Sequence, residues 1–257
     1  MTYCEIAATP MNVNEKLQRN DGTEHADGRL YRSLVGGLNY LTHTRPDIAY
    51  SVSVVSRHMH NPTKQHLGAT KWILRYVAGT LKYGIWYAKV PDLHLFGFTD
   101  SDWAGCLDDR KNTSGSVFSL RSGAITWSSK KQETVALSPS EAEYAAATAA
   151  ARQALWLQKV LADFDIKQSD ATLLYCDNRS AIAIAKNPAF HGRTKHIDVQ
   201  CHFIRKLVAD EKIALMFCGT NEQVADIFTK SLPQAKHQFL TTRLGVCDFE
   251  SRGSVEN

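Results

Sequence analysis

The chain has 257 residues, of which 44% are hydrophobic and 22% charged, enough apolar material to bury the core of one large or two modest domains. No run of about 18 apolar residues occurs, and Met1-Thr2-Tyr3-Cys4-Glu5 lacks the basic start and apolar stretch of a signal peptide, so neither a membrane span nor a secretory route is expected. The formal charge of +4 leans toward an anionic partner, with basic clusters at Lys130-Lys131 and Arg193-Thr194-Lys195-His196, while the scattered cysteines include no C-x-x-C pair and signal neither a disulfide framework nor a zinc ribbon.

Residues 1–28 read as a polar lead-in, interrupted by Asn12, Asn14, Asn20, Asp21, Gly22 and Gly28. Leu30, Leu34, Leu38 and Leu41 then recur at helical spacing until Arg45-Pro46 breaks the run. Pro46 suits the first turn of a second helix reaching Met59, and after Asn61-Pro62-Thr63 the positions Leu67, Ile73, Leu74 and Val77 predict a third, ending near Gly79. The character changes at Gly84-Ile85-Trp86-Tyr87 and Leu93 to Thr99, which have the length and residue types of strands. Ser116 to Leu120 and Ala124 to Ser128 flank a hairpin loop at Arg121-Ser122-Gly123.

The clearest helix follows. Ser138-Pro139-Ser140-Glu141 supplies an N-cap serine, a proline at the first helical position and a capping-box glutamate, opening an alanine-rich run to about Phe164. Beyond it, a buried-type strand is expected at Thr172 to Cys176, helices at Ser180 to Lys186 and Lys195 to Ala209, a strand at Ile213 to Phe217 and a helix at Val224 to Lys230. Strands and helices in this order predict an α/β (mixed α+β) domain with a mixed sheet.

Four acidic residues stand apart from the solvated majority. Asp100 and Asp177 end hydrophobic strands, Glu143 lies in the second turn of the alanine-rich helix, and Asp226 lies on the short helix after the last strand. Carboxylates at the ends of adjacent strands can converge, and such a cluster calls for a hard divalent cation with oxygen ligands, Mg2+ or Mn2+. A pair of such ions roughly 3.5–4 Å apart would clamp an in-line phosphodiester displacement. Asp102 would face the other side of the sheet if the strand continued, and Glu141 is explained by its cap. Trp103, Trp127 and Trp156 are read as core residues rather than stacking platforms.

Several motifs resemble one family in order. Thr99-Asp100-Ser101-Asp102-Trp103-Ala104-Gly105 with Arg110 to Gly115, then Ser138-Pro139-Ser140-Glu141-Ala142-Glu143-Tyr144, Cys176-Asp177-Asn178, Arg193 to Asp198 and Ala225 to Lys230, closely resemble the ribonuclease H domain of copia-type retrotransposon Pol polyproteins. Upstream, Tyr31 to Gly36 and Thr44 to Ile48 look like the segment joining reverse transcriptase to that domain. The resemblance implies a ribonuclease H-like fold: a five-stranded mixed sheet flanked by helices and preceded by a small helical segment. The implied division is a lead-in at 1–28, a connection segment at 29–90, the nuclease domain at 91–232 and a C-terminal helix and tail at 233–257.

It further implies hydrolysis of the RNA strand of RNA–DNA hybrids, with Asp100, Glu143, Asp177 and Asp226 holding two Mg2+ ions (Mn2+ as a substitute) and Asn178, Lys195 and His196 contacting the nucleic acid. The expected partners are the hybrid and the upstream polymerase domain of the same polyprotein, with no membrane and no small-molecule cofactor. The expected compartments are the cytoplasm, in a virus-like particle, and the nucleus. Cellular relatives carry a histidine in the loop before the last acid, whereas this loop reads Cys218-Gly219-Thr220-Asn221-Glu222-Gln223, leaving proton transfer to water, Glu222 or a residue from elsewhere. A retroelement relic that only binds nucleic acid or serves structure is the competing expectation, because intact acids do not by themselves establish turnover.

Overall fold

Helix α1 begins where Asp27 caps it, its carboxylate accepting from the backbone N–H of Arg29 and Leu30, and in the computed structural model, which describes residues 4–13, 15–186 and 203–249, it spans Gly28–Leu41. Its buried face is Tyr31, Val35 and Leu38 rather than the expected leucine row, and Leu30 is exposed. The tyrosine decides this rotation, since its hydroxyl donates to the Val55 carbonyl at 2.7 Å and satisfies its polar end inside the core. The expected second helix starts as a 3-10 turn at Pro46–Ile48 and becomes α-helical (α2) only over Ala49–Ser56. Helix α3, Lys64–Gly79, is capped reciprocally by Thr63 and His66. The lead-in is packed rather than loose, for Ala7, Met11 and Leu17 share a core with Tyr31, Val35, Ile48, Val55 and Ile73.

Contacts divide the chain into two units: residues 1–87, 104–110 and 230–257 form the first, and 88–103 with 111–229 the second. The first also holds a two-stranded antiparallel pair, β1 (Tyr83–Ile85) with β7 (Val246–Asp248), and helix α7 (Gln234–Arg243). A buried network accounts for its Thr44 to Ile48 motif. Arg45 donates to both Asp47 carboxylate oxygens through Nε and Nη2, at 2.8 and 2.6 Å, and at the end of α3 to the Thr80 carbonyl through Nη1 and the Thr80 hydroxyl through Nη2. The Tyr76 hydroxyl also donates to Asp47, at 2.8 Å, and the His237 imidazole meets the Asp47 carbonyl at 3.2 Å.

The second unit is built on a five-stranded sheet in the order β4-β3-β2-β5-β6. Strands β2 (Phe96–Ser101), β3 (Thr113–Ser119) and β4 (Ala124–Lys131) form an antiparallel meander, and β5 (Thr172–Cys176) and β6 (Ile213–Phe217) add in parallel beyond β2. Strand β2 starts later than expected, at Phe96, because Leu93 and Leu95 instead bond through their backbone to the Gln168 side chain. Helix α4, Pro139–Asp163, lies across the sheet on Ala147, Ala150, Ala151 and Ala154, whose small side chains allow a close approach to Leu95, Phe118 and Leu174. Helices α5 (Arg179–Lys186) and α6 (203–209) complete this core through Ile182, Ile184, Ile204 and Leu207. Among the described residues, no helix is long and apolar enough to cross a membrane.

Candidate metal centre

Strands β2 and β5 are parallel neighbours, so their C-terminal ends share one edge of the sheet. Asp100, buried, is the penultimate residue of β2, and half-buried Asp177 directly follows β5. Helix α4 is started by Ser138, whose hydroxyl accepts the Glu141 N–H at 3.2 Å, with Pro139 in the first turn. That start fixes the phase of the helix and places Glu143, buried, over the end of β2, where its Oε1 accepts the Ser101 N–H at 3.0 Å. The fourth acid arrives from the other end of the chain. After β6 the chain turns back through residues 218–223 into a 3-10 helix, Val224–Phe228, that carries Asp226 fully buried.

The 3-10 helix docks against the sheet because β3 has glycine at position 115, opposite Asp100. A Cβ there would lie 2.7–2.9 Å from the Thr229 methyl, the Ala225 carbonyl and the Phe228 Cβ. Thr229 then donates its hydroxyl to the Asp100 carboxylate. The result is that ligand oxygens of Asp100, Asp177 and Asp226 all lie within 4.8 Å of one another, and those of Glu143 and Asp177 form a second such group with the Cys176 sulfur.

So much negative charge in a buried space is expensive, and Glu143 registers the cost. Burial first, then the neighbouring Asp100 and Asp177 carboxylates, push its carboxyl up to about 9, against the opposing hydrogen bond from Ser101. The Cys176 thiol, 3.7 Å from Glu143, is raised by burial and by the Glu143 and Asp177 carboxylates, so it is a neutral thiol in the metal-free site. Cys218 is likewise pushed up to about 12 by burial and by Asp177, Asp226 and Glu222. A set of oxygen donors with an unmet need for positive charge fits a hard divalent cation rather than zinc or copper.

No family model matches the chain. It is 41% identical over 246 residues to the retrovirus-related Pol polyprotein from transposon RE1 of Arabidopsis thaliana, covering 96% of this chain and 17% of that protein. It is 45% identical over 253 residues to the corresponding polyprotein of transposon TNT 1-94 from Nicotiana tabacum, covering 96% of this chain and 19% of that one. The chain belongs to the copia-type retrotransposon Pol family. It spans less than a fifth of the length of these curated Pol relatives. Among solved structures, a foamy viral protease-reverse transcriptase in complex with an RNA/DNA hybrid superposes over 84% of this chain and 27% of its own, with a TM-score of 0.51 at 14% identity. The likeness is one of fold, and the fold of the second unit is ribonuclease H-like.

The remaining expectations for this Pol segment fare unevenly. Asn178 uses its side-chain oxygen to accept the Ala181 N–H at 3.0 Å, capping α5. Lys195 and His196 lie outside the described residues, as does the rest of the Arg193 to Asp198 motif. The expected helix at Val224 to Lys230 is a shorter 3-10 helix, whose tighter winding brings the Thr229 hydroxyl back to the Asp226 carbonyl at 3.2 Å. Glu141 closes its cap one residue further out than a capping box would, accepting the N–H of Leu137 at 3.0 Å. Asp102 turns out of the strand and accepts the Thr113 N–H. Glu222 is exposed at the loop tip.

None of the three tryptophans is a buried core residue, Trp127 being half-buried in β4. Trp103 is 57% and Trp156 56% exposed, Trp103 because the chain leaves the sheet at Asp102, and Trp156 because α4 buries its alanine face instead. Sequence reading also passed over Gly115, Gln223 and Thr229. Each lies within a stretch already singled out, but only close packing gives a glycine, an amide or a hydroxyl a role beside the acids.

Proposed function

We propose that this Pol segment is a divalent-metal-dependent ribonuclease H that cuts the RNA strand of RNA–DNA hybrids during reverse transcription. The observation that carries the reading is the convergence of Asp100, Asp177 and Asp226 within 4.8 Å, with Glu143 beside Asp177. These carboxylates would hold two Mg2+ ions, for which Mn2+ can substitute. When bound, such ions activate a water and stabilise the leaving oxygen of the phosphodiester, giving 3′-hydroxyl and 5′-phosphate ends.

The protein's own part is to prepare the ligands. Thr229 orients the Asp100 carboxylate, the Ser101 N–H orients Glu143, and Glu143 must release the proton it holds in the metal-free site before it can serve as an anionic ligand. Asp177, only half-buried, is the acid that the scissile phosphate can approach. Asn178 through its amide nitrogen, with Lys195 and His196, would grip backbone oxygens or 2′-hydroxyls. With no histidine in the 218–223 loop, proton transfer to the leaving group falls to water or to exposed Glu222. The upstream polymerase domain of the polyprotein would deliver the hybrid, in the cytoplasm within a virus-like particle or in the nucleus.

The test is incubation of the purified chain with labelled hybrid and Mg2+ beside an Asp177→Asn variant. Cleavage by the wild type and its loss in the variant are expected. Equal cleavage by both proteins would sink the assignment.

A further inference from the structure

Asp100 lies between two glutamines that the metal-ligand set does not include. On one side, Gln223, fully buried, donates its amide to the Thr99 carbonyl at 2.9 Å and accepts the Ala225 N–H at 3.2 Å. It therefore joins the residue before Asp100 to the residue before Asp226. On the other side, the Gln132 amide nitrogen lies 3.2 Å from the Ser101 hydroxyl, 2.9 Å from the Ser114 hydroxyl and 3.0 Å from the Ala142 carbonyl. It joins the residue after Asp100 to the residue before Glu143.

Gln132 is itself held in orientation. Its side-chain oxygen accepts from the Asn112 amide at 2.9 Å, and its backbone N–H donates to the Asn112 carbonyl at 2.7 Å. Asn112 is completely buried, so the end of β4 and the start of β3 form a fixed anchor for the amide. The ionised acids of the cluster repel one another, so their elements need other groups to hold one spacing. Neutral amides suit that task, because they bond to backbone without adding charge to a site already rich in it.

We propose that Gln132 and Gln223 are positioning residues that fix the spacing of Asp100, Glu143 and Asp226 and so set the affinity of the site for divalent metal. The proposal rests on the metal-dependent reading of the same cluster. Gln132 is the better handle, since it is only half-buried and bonds to hydroxyls and one carbonyl rather than filling the core.

Gln132→Glu keeps the shape and removes the donor to Ala142, and Gln132→Ala removes the bridge without adding charge. Gln158→Glu is the control, because Gln158 makes a similar amide bridge, to Thr172 and the Lys212 carbonyl at 2.7 and 3.0 Å, between other elements of the same unit. Mn2+ binding to each full chain is read by loss of the free-ion EPR signal, and hybrid cleavage is titrated with Mg2+. Both Gln132 variants should bind Mn2+ about tenfold more weakly, with the KM for hybrid unchanged, while Gln158→Glu lowers the thermal midpoint and leaves Mn2+ affinity alone. An added negative charge would by itself tighten cation binding, so weakening in Gln132→Glu identifies geometry as the cause. Wild-type Mn2+ affinity in both Gln132 variants, or an equal loss in the control, overturns the proposal while leaving the metal site standing. A wild-type chain that binds no Mn2+ removes the metal reading and this proposal together.

Discussion

Glu143→Gln should make the metal-free protein more stable at neutral pH. In the fold the carboxyl is held up to about 9, against an ordinary value of 4.5, so the unfolded chain ionises it and the native chain does not. For a group raised in the native state, the associated stability is complete below the unfolded value and is lost as pH rises through the native one. At about pH 7.5, roughly 3 pH units above the unfolded value, the penalty reaches about 4 kcal/mol. A glutamine mimics the protonated acid: its oxygen can still accept the Ser101 N–H, and its amide can donate toward Asp100 where the protonated acid now does. The thiol contact from Cys176 is lost, so a net gain of ~2 kcal/mol is a fair expectation. That corresponds to a rise of roughly 6–10 °C in the midpoint of the second unit. Thermal denaturation in chelator from about pH 5 to 8 should show the two proteins converging at the acid end and separating by up to ~1.4 kcal/mol per pH unit above it. With Mg2+ added, the order should reverse, since only the wild type gains a full set of anionic ligands. A stability difference that does not change with pH would refute the reasoning.

Other consequences can be measured alongside. Gly115→Ala should cost about 1–3 kcal/mol and weaken Mn2+ binding, because its methyl would force the 3-10 helix carrying Asp226 away from the sheet; unchanged Mn2+ affinity would show that the helix relaxes elsewhere. Asp47→Ala leaves Arg45 buried without its carboxylate and should destabilise the first unit by roughly 3–5 kcal/mol, read from urea denaturation, with hybrid cleavage by the surviving folded fraction unaltered. The first unit should also lose stability in mild acid. Burial, and for His58 also the stacked His66 ring, lower the imidazoles of His58 (to about 4) and His237 from their ordinary 6.5. The unfolded chain therefore takes up protons first, and stability falls as pH drops from about 6.5 toward 4. Replacing His58 by Phe should flatten that part of the pH profile.

Much of the molecule is legible from local pattern. The serine and proline at 138 and 139, the alanine run behind them and the short apolar strands each dictate their element through capping, periodicity and residue type, and the four acids were separable from the others by placement, Asp100 and Asp177 at strand ends and Glu143 and Asp226 on flanking helices. Packing decided the rest. Which face of α1 turns inward depended on a partner carbonyl 24 residues away for the Tyr31 hydroxyl, and Thr44 to Ile48 became intelligible only when Asp47 met Tyr76 and His237. The four acids lie up to 126 residues apart in the chain, from Asp100 to Asp226, and their convergence is a property of strand order. A sequence states which residues can ionise or bond. Their distances, and hence the raised carboxyl of Glu143 and the roles of Gly115, Gln132, Gln223 and Thr229, exist only once parallel β2 and β5 put their ends on one edge and the flanking helices close over it.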